Sequence, residues 1–211
     1  MGAGVQEVNL PRRERQRLER RSRILVAALE LFSDKGYCHV SMEEISKKAQ
    51  FAIGTLYKFF RNKDDLYSAL ILEHAQSVDD EVKKAVEGCE HETDKLRRYV
   101  VAKGMAFCTR ESMIRLYFAE THGASVNVMA GLDSEIGRRR GEFRRILASV
   151  FESGMKKGLF RRIGDPFHLA VAVESLTEGF LLLRLKSPES HTYPKVPDII
   201  LNILFEGLLD Q

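Results

Sequence analysis

Residues 41–66 read SMEEISKKAQFAIGTLYKFFRNKDDL, and no other stretch restricts the fold as much. Ser41 and Glu44 stand at the S-x-x-E spacing, in which each side chain satisfies the other's orphan backbone N–H at a helix start. Ile45 and Ala49 give that helix one apolar edge, and it ends near Ala49. Gln50-Phe51-Ala52 breaks it. The following IGTLYKFF is long enough for about two turns, with Leu56 and Phe60 on one face and Ile53 and Tyr57 on another. Asn62 then caps a further helix, whose first turn holds Asp64 and Asp65, favourable to the helix dipole. Two short helices joined by a tight turn make a helix-turn-helix.

The rest of the chain continues in helices. Before the motif, Ile24, Ala27, Ala28, Leu31 and Phe32 fall at i, i+3, i+4, i+7 and i+8, one face of an amphipathic helix. Lys35 and Gly36 supply its basic last turn and its stop. Residues 1–19 read as a disordered basic arm, 20–66 as the helix-turn-helix domain with its motif at about 41–60, and 67–211 as a larger helical domain. In that domain helices are expected to about Val86, then near 93–109 and 112–121. The segment 122–131 reads as a loop or frayed turn. A long helix follows over about 133–157, with Ile136, Phe143, Leu147, Val150 and Phe151 on its apolar side and Gly158 at its end. Asp165-Pro166 opens another helix, a cap residue followed by proline at the first helical position. A last helix is expected at 197–209. No strand-like alternation persists, so the fold class is all-α, with about nine helices.

Charge divides unevenly along the chain. Residues 1–63 carry thirteen Lys/Arg against seven Asp/Glu, and the remaining residues twenty against twenty-three. A basic N-terminal third on a mildly acidic remainder suits a polyanion at that end. No apolar run reaches the ~18 residues of a membrane span, and the arginine-rich start lacks an apolar signal core, so no membrane partner and a cytoplasmic location are expected. Cys38, Cys89 and Cys108 make no CxxC pair, and the histidines form no HxxxH or HExxH. No metal and no cofactor are expected.

In a helix-turn-helix the second helix enters the major groove, and its first turn meets base edges. The sequence from Ser41 to Leu66 resembles that of the TetR (tetracycline repressor-like) transcriptional regulators. The matching residues are the capped helix, Gly54-Thr55-Leu56-Tyr57-Lys58-Phe59-Phe60, Arg61-Asn62-Lys63 and Leu66, with AALELFSDKGY (27–37) ahead of them. Further on, GMKKGLFR (154–161) resembles the end of the family's seventh helix. The resemblance implies that Ser41 presents a helix start to a phosphate and that Met42 and Lys48 lie along the DNA backbone. It further implies that Ala52, Ile53 and Thr55 face bases, that Tyr57 and Lys63 hold phosphates, and that Leu56 and Phe60 pack inside; on the reading helix itself Thr55, Tyr57 and Lys58 supply donors for phosphates or bases. The chain departs from the family at the turn. Gln50 stands where glycine is usual, Ala52 cannot cap with its side chain, and Ile53 replaces a more polar residue.

The expected partners follow. Double-stranded operator DNA would be bound by a homodimer, whose interface would use Leu169, Val173, Leu176, Phe180 and Leu183 with Ile200, Leu204 and Leu208. A small apolar effector would sit among Met105, Phe107, Cys108, Tyr117, Phe118, Phe143, Phe151 and Glu174, and would release a repressor from its operator through the helix 63–86. Two other readings stand beside this one. A helical enzyme would use Glu174 and Glu178 at i, i+4, although no nucleophile motif accompanies them. A DNA-binding scaffold would work without ligand control.

Overall fold

The computed structural model describes residues 11–120, 126–187 and 199–203, and the side chains of these except 117–120 and 126–131. Eight helices run in order: α1 (Arg12–Lys35), α2 (Met42–Ala49), α3 (Ile53–Tyr57), α4 (Lys63–Glu87), α5 (Glu92–Thr109), α6 (Glu111–Glu120), α7 (Val126–Lys156) and α8 (Pro166–Lys186). Residues 199–203 form a ninth, α9. No strand occurs among the described residues, and the fold is all-α. The chain divides into two compact units at Leu70–Ile71, with α4 beginning in the first and continuing in the second.

In the first unit the predicted face of α1 is the buried one: Ile24, Ala27, Ala28 and Phe32 pack with Val40, Ile45, Leu56, Phe60 and Leu66. Phe32, Tyr37 and Tyr67 form an aromatic trio, with ring centroids 5.5, 5.8 and 4.9 Å apart. Burial and the bond from its hydroxyl to Asp64 raise the Tyr37 pKa. Gly36, at φ 77°, stops α1, a conformation open to glycine. One expectation fails here: residues 12–19 are helical, not a disordered arm. The arginines, glutamates and glutamine of that stretch are good helix formers. Pro11 stands just before the first turn, where Arg15 N–H donates to its carbonyl at 3.1 Å, so α1 projects an exposed, arginine-rich N-terminal portion.

The second unit is built on α7 and α8, which pack along each other with α5 against both. Its core includes Leu96, Tyr99, Val100, Leu147, Phe151, Phe160, Val173 and Ile200. Of the segment 122–131, expected as a loop or frayed turn, residues 126–131 belong to α7 and Gly131 does not break it, while 122–125 lie outside the described residues. Gly158, at φ 72°, reverses the chain after α7 so that Leu159 N–H bonds Gly154 O at 2.8 Å. Phe160 then folds back on Gly154, where an added Cβ would stand 2.1 Å from the ring. Those contacts explain the glycines of GMKKGLFR. Glu92, at the start of α5, accepts from Ser153 and Lys157 of the α7 end, both at 2.7 Å. Asp165 caps α8 through Phe167 N–H at 2.8 Å. By length and composition α8 is the one described helix apolar enough to cross a membrane; here it packs against α5 and α7 and buries Glu174 and Thr177.

Candidate nucleic-acid interface and cavity

The helix-turn-helix is set by local bonds. Glu44 N–H donates to Ser41 Oγ at 3.2 Å, and Ser41 N–H donates to Glu44 Oε2 at 2.9 Å, closing the capping box. Lys35 also donates to Glu44 at 2.8 Å and lowers its pKa. Gln50 lies at φ 60°, ψ 43°, the left-handed conformation that usually favours glycine. Around it, Phe51 N–H bonds Ser46 O at 3.0 Å, and Arg23 donates to Ala49 O at 3.2 Å. The Arg23 guanidinium also lies 4.7 Å from the Phe51 ring centroid. Arg23 thus satisfies an orphan carbonyl at the end of α2 and pins the turn. Neither role was visible in the sequence, because the nearer partner, Ala49, already lies 26 residues away. Ala52 opens α3 without a side-chain cap, and α3 has five residues, shorter than the two turns expected.

Of the residues expected at DNA, Ser41, Lys48, Ala52, Tyr57 and Lys58 are exposed, and Ile53 and Thr55 are partly exposed. Tyr57 leaves half of its surface uncovered, an unusual state for a large aromatic side chain. Lys48 pairs with Glu30 at 2.9 Å. Two expectations change. Met42 is buried, because with Ile45 and Ala49 it forms the inward face of α2. Lys63 turns inward: its ammonium donates to Tyr37 O and Val40 O, each at 2.9 Å, and sits 4.3 Å from the Tyr37 ring centroid. It therefore clamps the α1–α2 loop, with one N–H left over. Ser41, Tyr57 and Lys63 nevertheless line one notch of about 410 Å³ at the start of α2, with Cys38 and His39.

The second unit holds a cavity of about 480 Å³, within the ~300–1,000 Å³ of small-molecule sites. Five helices line it, α6 contributing Met113 and Ile114. From α4 come Ile71, His74, Ala75, Val78 and Asp79, and from α5 Lys103 and Phe107, with Arg110 just beyond. From α7 come Ile136, Arg139, Arg140 and Phe143, and from α8 Glu174, Glu178, Leu181 and Leu182. Most of the charges are matched within the chain. Arg110 donates to Glu81 and to Ser77 at 3.0 Å, and Arg139 donates to Gln76 and to Glu135 at 2.8 Å. Arg140 meets Glu178 at 3.1 Å and Glu174 at 3.5 Å, and Arg144 also bonds Glu174. Burial, reinforced by Arg110, lowers the His74 pKa. Burial also raises the Asp79 carboxyl, against the pull of Lys103, Arg139 and Arg140.

Phe107, Phe143 and Glu174 line the cavity as expected residues of it. Phe151 does not, being fully buried in the core. Met105 points outward, 64% exposed, because it lies off the Lys103–Phe107 face of α5. Cys108 is also off the cavity, beside the Arg184 guanidinium. Tyr117 and Phe118 have side chains outside the described set. Apart from Glu174, the polar lining was missed from the sequence, although His74, Val78 and Asp79 share the α4 spacing of Ile71 and Ala75 and could have been found by it.

On α8, Leu169, Leu176 and Phe180 are partly exposed and Leu183 is 42% exposed. Ala172, Ser175 and Gly179 complete this outward face. Val173 and Ile200 were expected at an interface, but both are fully buried in the chain's own core. Leu204 and Leu208 lie outside the described residues.

Comparison with known proteins fits this arrangement. The family model "Bacterial regulatory proteins, tetR family" matches residues 24–70. The chain is 31% identical over 78 residues to the HTH-type transcriptional regulator HbdR of Aromatoleum sp. (strain CIB), covering 37% of this chain and 34% of that one. The matched part thus spans about a third of that relative's length. Similarity to the uncharacterized HTH-type transcriptional regulator YdgC of Bacillus subtilis runs further, 25% over 203 residues, or 92% of this chain and 95% of that one. Among solved structures, the transcriptional regulator FadR of Bacillus subtilis in complex with stearoyl-CoA shares the fold at a TM-score of 0.74 and 17% identity, over 88% of this chain and 98% of that one. Residues 24–70, the capped helix-turn-helix unit, thus match the tetR family of bacterial regulatory proteins, and the chain as a whole shares the fold of FadR.

Proposed function

We propose that the protein is a homodimeric, operator-binding repressor, released by a small ligand held in the second unit. The observation that carries the DNA-binding part is the exposed surface of α2 and α3. Ser41, Ala52, Thr55, Tyr57 and Lys58 lie there without a core role, and Tyr57 spends half its surface on solvent. Ala52 and Gly54 bring no bulk between the α3 backbone and a groove floor, and Tyr57, Lys58 and the Ser41 notch suit phosphates. A short reading helix touches few bases, so specificity calls for two copies on a palindrome, with half-sites ~34 Å apart. The outward face of α8 supports that pairing. Leu169, Leu176, Phe180 and Leu183 surround small residues that permit close helix approach.

The cavity supports the regulatory part. Its walls combine apolar side chains such as Val78, Phe107 and Phe143 with largely paired charges, it is sized for a small molecule, and FadR, of the same fold, is described with stearoyl-CoA. For release, the ligand must favour a spacing of the two reading heads that does not fit DNA, and α4 is the covalent link through which the cavity reaches them. Such a regulator acts where the chromosome is, in the cytoplasm. The enzyme reading loses its best residues, because Glu174 and Glu178 are engaged by Arg140 and Arg144. Selection of bound duplexes from a random DNA pool tests the proposal. A palindromic consensus is expected; uniform, sequence-independent recovery would leave a scaffold instead, and no recovery at all would contradict DNA binding.

A further inference from the structure

We propose, resting on the reading of α3 as the helix that meets DNA, that α1 extends this surface beyond the helix-turn-helix. Its arginine-rich N-terminal turns would lie along the phosphate backbone flanking each half-site, with Arg13, Arg17 and Arg20 as the contacts. Residues 12–23, RRERQRLERRSR, carry seven arginines against two glutamates. The first buried residue of α1 is Ile24, so these turns pack on no core of the chain. They also precede residues 24–70, the part that the family model matches. At 1.5 Å per residue they project roughly 18 Å.

Two contacts fix where the projection starts. Arg23 donates to Ala49 O and lies over the Phe51 ring, in the turn ahead of α3. Arg21 lies 5.2 Å from the ring centroid of Phe60, just past the end of α3. The base of the projection therefore stands beside both ends of the reading helix. Its direction follows from the pairing of α1 with α2. Lys35 meets Glu44, Glu30 meets Lys48, and Arg23 meets Ala49, so the two helices run antiparallel. The N-terminal turns of α1 thus pass beyond the C-terminal end of α2.

The side of α1 that faces α2 and α3 continues into these turns. Ile24 and Ala28 mark it inside the core. Arg20, Arg17 and Arg13 stand four, seven and eleven residues before Ile24, the spacings of one helix face. The stripe is apolar against the core and turns to arginine beyond it. The side chains of these three arginines form no hydrogen bond or ion pair with a described residue, although Glu14 and Glu19 lie close in sequence. The arginine run of α7 is treated differently: Arg138 and Arg139 both hold Glu135, and Arg140 holds Glu178. Unbalanced guanidinium groups in a row, continuous with the reading helix, suit a row of phosphates. A helix about 10–12 Å across does not enter a minor groove about 6 Å wide, so the contacts fall on the backbone and carry no base sequence.

Fluorescence anisotropy with the full chain tests this on two duplexes carrying the selected palindrome. One ends at the half-sites, and the other adds about five base pairs outside each, the reach of roughly 18 Å at ~3.4 Å per base pair. The triple variant Arg13→Ala, Arg17→Ala, Arg20→Ala removes no buried contact and places a better helix former at each position, so its thermal unfolding should match wild type. On the longer duplex its salt slope should be lower by about five, ~0.9 for each of three arginines in two chains. Removing the flanks should cost wild type most of that difference and the variant little. Lysine at the same three positions, which keeps the charges, should restore most of the slope. A variant slope and affinity matching wild type, or equal losses by both proteins on removal of the flanks, would overturn the extended surface. A loss that tracked the base sequence of the flanks would overturn the backbone assignment. Failure of wild type to bind either duplex would overturn the DNA-binding reading, and this extension with it.

Discussion

Gln50 holds a left-handed backbone that costs a residue with a Cβ roughly 1–2 kcal/mol. Gln50→Gly removes that strain and adds some unfolded-state entropy. The variant is expected to be more stable by about 0.5–1 kcal/mol in urea unfolding; an equal loss would mean that the Gln50 side chain holds the turn. Lys63 gives the opposite prediction. It bonds two loop carbonyls, so Lys63→Met should cost the first unit about 2 kcal/mol as well as weakening DNA binding. If stability were unchanged, the clamp would be ruled out. These two residues show what a sequence discloses. The capping box, the Asn62 cap and the strain at Gln50 are local, and all were legible. The bonds of Lys63 and Arg23 join residues 23 to 26 apart and depend on the packed domain, so no spacing rule could show them.

Among the helices, the joint between α7 and α8 carries the sharpest stability predictions. Gly154 touches the ring of Phe160, itself buried, so Gly154→Ala should cost about 1–3 kcal/mol by overpacking. Wild-type stability in thermal unfolding would show that Phe160 can move aside. Glu92 ties the start of α5 to the end of α7, and its pKa is held down to about 2 by Lys157 and Ser153. A carboxylate depressed in the folded state stabilises fully above its ordinary pKa of 4.5 and loses that contribution as pH falls toward 2. Glu92→Gln should therefore be less stable than wild type at pH 7, with the difference shrinking below pH 4; a constant difference would contradict the ion pair. Helix α8 marks the limit of pattern reading. Its sequence shows an apolar stripe with Glu174, Thr177 and Glu178 roughly opposite, yet the inward face includes Glu174 and Thr177 while Leu183 points out. Hydrophobicity alone assigned Val173 to an interface, because the arginines that make Glu174 acceptable inside come from α7.

At the scale of the whole molecule, one continuous helix, α4, runs from the helix-turn-helix unit into the unit that holds the cavity. The division of charge already pointed to a polyanion at the N-terminal third, and the exposed arginines of α1 add to that field. Most of the outward face of α8 was legible as an apolar stripe, Leu169, Leu176, Phe180 and Leu183, whereas the pairing of charges around the cavity depends on the packing. The central claim is that α3 and the start of α2 meet DNA phosphates. It is tested most directly by the salt dependence of affinity for the selected palindrome, measured by fluorescence anisotropy for wild type and Lys58→Ala. The account predicts a steep fall in affinity with salt, and a slope lower by about two for Lys58→Ala, one contact from each of two bound chains. A Lys58→Ala slope and affinity matching wild type would contradict it.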